Sequence, residues 1–443
     1  MPTATRIAPE DAIDVIRRHM IADGFDLVVD LERSHGSYLV DARSGKEYLD
    51  FFTFIASNAL GMNHPKLTEP SFLQRLGRVS VNKPSNSDIY TIEMAEFVDT
   101  LSRHAMPEGM PHLFLVEGGA VAVENALKAA FDWKIRRNRR KGIPGEVGTR
   151  VVHFRECFHG RTGYTMSMTN TDPAKTDLYP KFDWPRVENP KVRFPLEGAN
   201  LEAVREAECR ASGEIEQAFK DHPDDIAAIL IEPVQGEGGD NHFRPEFFRE
   251  LRRLADEHDA LLIFDEVQTG VGLTGRFWAW ENFGVRPDII VFAKKMQVCG
   301  IIASERLDEE PDNVFRVSSR INSTWGGSLT DCVRSTRILE VIAEEGLVEN
   351  AATQGRRLRE GMESLQAEFP RLVSNARGLG LMCAIDLPDG KTRARLLQQT
   401  FADGLFVLPS GSVTVRCRPP LPVTPDEIDQ GIEMLRKGLR SLA

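Results

Sequence analysis

Four short runs, "RVVHF" (Arg150–Phe154), "IAAILIE" (Ile226–Glu232), "ALLIFDE" (Ala260–Glu266) and "DIIVFA" (Asp288–Ala293), carry apolar residues at consecutive rather than alternate positions. A strand with one wet face alternates, whereas a strand that is apolar throughout has both faces covered. Stretches with helical periodicity separate these runs. The middle of the chain is therefore expected to form a covered, mostly parallel sheet with helices between its strands.

The flanks read differently. Ala8 to Ala22 has the pattern of a helix, and "DLVVDLERSHGSYLVDARSGKEYLDF" alternates, predicting short strands joined by a turn at Ser44-Gly45. After about Trp325 the pattern changes to two long helices, then to mixed strands and helices. The closing "TPDEIDQGIEMLRKGL" offers Thr424 as N-cap, Pro425 at the first helical position and Glu427 to complete a capping box. A chain of 443 residues exceeds one hydrophobic core. The expected organisation is a large α/β domain over residues 61–330. A smaller α+β domain would combine the segment 1–60 with residues 331–443.

A net charge of -11 argues against general affinity for nucleic acid, which needs a basic surface. The six cysteines are scattered without zinc-ligand spacing and read as reduced thiols. The first twenty residues have no apolar core, and no apolar run approaches the roughly 20 residues needed to span a bilayer. The cytoplasm is the expected compartment, with no membrane partner.

Ligands of an open parallel sheet sit beyond the carboxyl ends of its strands. One predicted strand delivers Asp265 and Glu266 there, and the next delivers Lys294 and Lys295. A lysine set against an apolar strand is partly desolvated, which lowers its pKa and frees a neutral amine for attack on a carbonyl. Pyridoxal phosphate is such a carbonyl. It also needs an acid to keep its ring nitrogen protonated, a role that Asp265 fits, and an anchor for its phosphate. In "VEGGAVAVENALKAAFDW" the glycines Gly118 and Gly119 precede a strong helix former, so Gly119 and Ala120 can point their N–H groups at a phosphate. The same sequence is also an ordinary turn. In "CFHGRTGYTMS" Phe158 can stack on a flat cofactor, while His159 reads as structural. In "NSTWGGSLTD" Ser323 and Thr324 can reach a phosphate or simply cap the next helix. The residues alone do not choose between Lys294 and Lys295.

Taken in order, these segments resemble the class-III (ω-amino-acid) aminotransferases of fold type I. The resemblance runs from "DFFTFIASNALGMNHPKL" to "VRCRPPL" and is carried above all by "IFDEVQTGVGLTGRFWAWENFGVRPDIIVFAKKMQVC". It implies a homodimer with a shared active site and pyridoxal phosphate as cofactor. It selects Lys294, which follows the small Ala293 and stands 29 positions after Asp265, as the lysine that bonds the cofactor. Lys295, where the family usually has glycine, is expected to be a solvated loop charge. Asp265 would meet the ring nitrogen, Gln268 the ring hydroxyl, and Phe158 the ring face. Gly119 and Ala120 would hold the phosphate, with Thr324 reaching the phosphate of the neighbouring subunit. The "GGA" cup and the "KKMQVCG" segment depart from the commoner family forms and are similar to the subgroup acting on the ε-amine of L-lysine.

Such an enzyme must present a side-chain amine first and an α-oxo acid second. The resemblance implies that a remote Arg161 holds the far carboxylate of both L-lysine and 2-oxoglutarate through a bidentate pair. It further implies a nearer Arg416, covered by Glu237 until the oxo acid replaces that partner. Alternative readings keep the fold but act on ornithine, 4-aminobutyrate or another ω-amine, or catalyse an aminomutase reaction. A regulator that binds the cofactor without turnover is a further alternative. The acidic charge and the absence of a helix-turn-helix pattern weigh against it.

Overall fold

The computed structural model describes residues 7–442. Its strands, numbered along the chain, begin with β1 (Tyr38–Val40) and β2 (Glu47–Asp50). The central set is β3 (His112–Val116), β4 (Arg150–Phe154), β5 (Arg186–Val187), β6 (Ile226–Ile231), β7 (Leu261–Asp265), β8 (Ile289–Phe292) and β9 (Cys299–Ala303). The last set is β10 (Ser374–Leu379), β11 (Met382–Asp386), β12 (Leu405–Phe406), β13 (Leu408–Ser410) and β14 (Thr414–Cys417).

The central strands form one sheet in the order β3-β9-β8-β7-β6-β4-β5. Neighbours from β8 to β5 run parallel, and β9 alone runs against its two neighbours. Every residue of β6, β7 and β8 is buried, as their uninterrupted apolar runs require. The helix Gly119–Arg140 packs its Ala122, Val123, Ala126 and Ala130 face on this sheet. The helices Gly198–Asp221 and Pro245–Glu257 bury their apolar stripes in a second core on the sheet.

Two smaller sheets frame it. The antiparallel sheet β10-β11-β14-β13 carries Arg416 on β14, paired in register with Ala384 and Leu408. The sheet β1-β2-β12 joins residues near 50 to residues near 406, because β12 runs parallel to β2. The closing helix Pro425–Arg440 has the anticipated capping box, with Thr424 and Glu427 exchanging hydrogen bonds.

Two expectations need amendment. The Ala8–Ala22 helix is only a 3-10 turn, Pro9–Asp11, followed by Ala12–Arg17. None of its residues is fully buried, so little packing supports a longer helix. The strands β3 and β9 were not anticipated from the sequence. β9 is held close to β3, where a Cβ on Gly300 would overlap the Phe114 carbonyl oxygen. Among the described residues no helix is long and apolar enough to cross a membrane.

Just after β2 the chain makes an unusual turn. Thr53, Phe54, Ile55 and Ala56 all have positive φ, from 45° to 61°. The left-handed region costs an L-residue about 1–2 kcal/mol, most for β-branched side chains. Asp50 Oδ1 holds the entry by accepting from the N–H groups of Phe52 and Thr53 at 2.9 and 2.8 Å. Thr53 Oγ1 donates to the Arg418 carbonyl oxygen at 2.7 Å. Such strain persists only where the surroundings over-determine it.

Candidate active site

Four adjacent parallel strands, β8, β7, β6 and β4, end at one edge of the sheet. Each is followed within five residues by a chemistry-bearing group: Lys294, Asp265 itself, Glu232 and His159.

The two lysines part company. Lys294 has φ +46, which turns the chain sharply at the end of β8. Its side chain is partly buried. Burial and then the Arg416 charge draw its ammonium down to about 8, against the opposing pull of Asp265 and Glu232. Lys295 is 2 % exposed, and Nζ donates to the carbonyl oxygens of Gln268 at 2.7 Å and Ala56 at 3.2 Å. It is not the solvated loop charge expected from the sequence. The left-handed residue before it swings Lys295 inward, where main-chain oxygens take the place of water. Burial, then the charges of Lys294 and Arg418, hold it well below its ordinary value.

Asp265 is buried at the tip of β7. Its Oδ1 accepts from the Val267 N–H at 3.1 Å and its Oδ2 contacts His159 Nδ1 at 2.8 Å. His159 is buried, and its Nε2 has no partner among the described residues. Burial opposes its charged form, yet Cys157 and Asp265 hold it well above its ordinary value. Its sequence context alone undervalues this histidine. Glu266, the other acid of the pair, faces away. It accepts from Thr269 Oγ1 and from the N–H groups of Ala279 and Trp280.

Glu232 went unremarked in the sequence although it ends an apolar run. It is buried and accepts from the N–H groups of Phe158 and Gly236 at 2.9 and 3.1 Å. Burial raises it to about 7, with Asp265 adding to the rise and His159 opposing it. It thereby fixes the loop that carries Phe158, whose ring is partly buried.

Gly118 has φ +101 and caps the helix Gly119–Arg140. A Cβ on Gly119 would lie 3.2 Å from Val267 and 3.4 Å from Ala293, so this helix start sits directly against the Asp265 and Lys294 strand ends. A Cβ on Gly160 would overlap that of Ala120, which brings the Phe158 loop to the same place. Bare helix N–H groups, an aromatic ring, a buried acid and a depressed lysine thus converge at one strand-end edge. These donors fit pyridoxal phosphate: a phosphate, a flat ring, a pyridine nitrogen and a carbonyl.

On the side formed by β14, Arg416 is buried and Glu237 Oε2 lies 3.4 Å from its Nη2. Gln268 Oε1 faces both Arg416 and Arg418, at 3.3–3.4 Å. Arg418 is 1 % exposed and makes two contacts with Asp240, at 2.6 and 2.7 Å. Neither Arg418 nor Asp240 was singled out from sequence, though each lies within a few residues of one that was. Two further candidates are not gathered in. Arg161 is exposed just before the helix Gly163–Met168 and has no ion pair among the described residues. Thr324 is exposed, with its carbonyl oxygen 3.5 Å from Ser87 Oγ.

Residues 21–439 match the family described as aminotransferase class-III. The chain is 54% identical over 432 residues to the L-lysine-epsilon aminotransferase of Mycobacterium tuberculosis, covering 97% of this chain and 96% of that one. It is 32% identical over 422 residues to the human mitochondrial 4-aminobutyrate aminotransferase, covering 90% and 82%. The solved structure of the M. tuberculosis lysine aminotransferase superposes with a TM-score of 0.97 at 53% identity, covering 99% of this chain and all of that one.

Proposed function

The chain belongs to the class-III aminotransferases, enzymes that work with pyridoxal phosphate, and from that premise we propose that it moves the ε-amino group of L-lysine to 2-oxoglutarate. The products are L-glutamate and 2-aminoadipate 6-semialdehyde, which cyclises with its own α-amine and loses water. The pairing of Glu237 with Arg416 supports an ω-amine first and an oxo acid second, and the 54% identity to a lysine-epsilon aminotransferase narrows the amine to L-lysine.

When bound, the cofactor supplies a carbonyl that takes up the amine and a ring that stores the electron pair left when a proton departs. Lys294 would attach it, and its amine, drawn down to about 8, is placed to serve as the proton-carrying base. Asp265, oriented by His159, would hold the ring nitrogen protonated. Phe158 would cover the ring, Gln268 would meet its hydroxyl, and the N–H groups of Gly119 and Ala120 would hold the phosphate.

Glu237 covers Arg416 while the amine substrate, whose carboxylate is remote, occupies the site. A carboxylate next to the reacting carbon displaces Glu237, so the oxo acid is admitted in the second half-reaction. Arg161 takes the far carboxylate of either substrate.

A second copy of the chain completes the phosphate site with its Thr324. Ser87 ties the Thr324 segment to the loop bearing Ile89 and Tyr90, which are 67% and 82% exposed. Trp325, next to Thr324, is exposed under Lys83. An apolar surface of this kind suits a two-fold dimer. All six thiols are free, which suits a reducing cytoplasm.

The test is a single half-reaction. Holoenzyme receives L-lysine without oxo acid, and the cofactor absorbance is followed while the cyclic product is trapped. Loss of the resting absorbance with a six-membered cyclic product is expected. A response to ornithine or 4-aminobutyrate but none to lysine would move the assignment to another ω-amine.

A further inference from the structure

Glu237 has two cationic neighbours. Its Oε2 lies 3.4 Å from Arg416 Nη2, while its Oε1 accepts from Lys175 Nζ at 2.5 Å. The shorter contact is to Lys175. Both Lys175 and Glu237 line a cleft of about 800 Å³, shared with Arg377, Arg393 and Ser410.

The two cations differ in freedom. Arg416 is buried on β14 between β11 and β13, so its position is fixed by a ladder on either side. Lys175 ends the 3-10 turn Pro173–Lys175 with 28% of its side chain exposed, and its Nζ stands 5.9 Å from the centre of the Phe158 ring.

The main chain at Glu237 is pinned. Gly411 N–H donates to its carbonyl oxygen at 3.0 Å, and Ser410 Oγ donates to that of Gly236 at 2.6 Å. A Cβ on Gly238 would overlap the Glu156 carbonyl oxygen. The carboxylate therefore moves by side-chain rotation alone.

We propose that Lys175 is a positioning residue that receives Glu237 when a dicarboxylate takes over Arg416. The inference rests on the two-substrate reading above. A carboxylate expelled from Arg416 into a partly buried cleft without a partner would oppose binding of the oxo acid. Lys175 removes that opposition because its contact with Glu237 already exists before the exchange. Glu237 then screens Arg416 without locking it.

The test uses Lys175→Met in the holoenzyme. KM for 2-oxoglutarate should rise about three- to fivefold, the size expected of a partly exposed ion pair. KM for L-lysine should change by less than about twofold on the same scale. Glutarate, a dicarboxylate with no oxo group to react, gives a readout apart from turnover. Its calorimetric Kd should weaken by the same factor, and Lys175→Arg should restore it. In a Glu237→Gln background, Lys175→Met should leave glutarate binding unchanged, since the partner is gone.

An equal loss of glutarate affinity in that background would mean that Lys175 contacts the ligand itself, which overturns the proposal. So would equal shifts in both KM values, or none. A wild-type enzyme inert towards L-lysine would instead sink the substrate assignment. The glutarate titrations would still read the coupling between Lys175 and Glu237.

Discussion

The ammonium of Lys295 lies 2.7 Å from the main-chain oxygen of Gln268, the residue whose side chain faces Arg416 and Arg418. A second bond from the same ammonium, to Ala56, ties down the exit of the left-handed turn. Lys295→Met keeps an unbranched chain one atom shorter but leaves two buried carbonyl oxygens without a donor. The expected cost is about 1–3 kcal/mol of stability per unsatisfied group, read as a lower melting temperature. Borohydride reduction of the holoprotein should still give a covalent cofactor adduct in this variant and none in Lys294→Ala. An adduct surviving in Lys294→Ala would overturn the choice of lysine.

The depressed Lys294 makes capture of the cofactor pH-dependent. Only the neutral amine attacks a carbonyl, so the capture rate in apoprotein should climb as pH rises through about 8 and then level. Arg416→Leu removes a charge that lowers this value and should move the midpoint upward. A rate that stays flat from acid to alkaline pH would count against Lys294 as the attacking group.

Gly160 sits at φ +117 with no room for a Cβ against Ala120. Gly160→Ala should cost about 1–3 kcal/mol in backbone strain alone, and it should displace the helix start proposed to hold the phosphate. Equilibrium dialysis should show clearly weaker cofactor retention. Gly163→Ala is the control, because its added carbon would only touch Glu124 at 3.6 Å.

Arg418 and Asp240 form a pair that is almost wholly buried. Asp240→Asn leaves the guanidinium buried without its counter-charge, at an expected cost of about 3–5 kcal/mol. Replacing both residues by apolar side chains should be less damaging than this single change. Denaturant unfolding of the two variants decides it.

Burial raises Glu266 from 4.5 to about 7. For a carboxyl raised on folding, the stabilising contribution is full below 4.5 and is lost as pH rises through about 7. The loss is on the order of 3 kcal/mol for a group so completely buried. Glu266→Gln should therefore flatten the dependence of the melting temperature on pH across that window, whatever its constant offset. An unchanged slope would mean that Glu266 stays ionised in the folded protein.

The sheet was legible because β4, β6, β7 and β8 are apolar on both faces, a pattern that a strand with one wet face does not produce. Asp265 and the Lys294–Lys295 pair were legible for the same reason, as polar groups placed where such runs stop, and the family resemblance then singled out Lys294. What stayed hidden depends on contacts between distant positions. His159 reads as structural until Asp265, 106 residues later, is seen against its ring. Arg418 gains meaning only from Asp240, 178 residues earlier. Lys295 follows Lys294 directly, and only the positive φ of Lys294 sends the two side chains apart. "FFTFIAS" is rich in strand-forming residues, so local preference argues against the left-handed turn that tertiary contacts impose there.

That turn also sets an order of events during synthesis. Phe51, just ahead of it, donates its N–H to Phe406 and accepts from the N–H of Arg418, and Thr53 bonds the Arg418 carbonyl. A nascent chain that has already exposed Lys294, Asp265 and the Gly118 loop still lacks the partners that hold Thr53–Ala56 in place. Lys295 meanwhile has no Ala56 carbonyl fixed to receive it. A ribosome must add more than three hundred residues after Phe51 before the turn can close, and contacts of such long sequence separation form slowly. A chain cut short before β12 would carry Lys294 and Lys295 without the contacts that hold Thr53–Ala56 in its left-handed path.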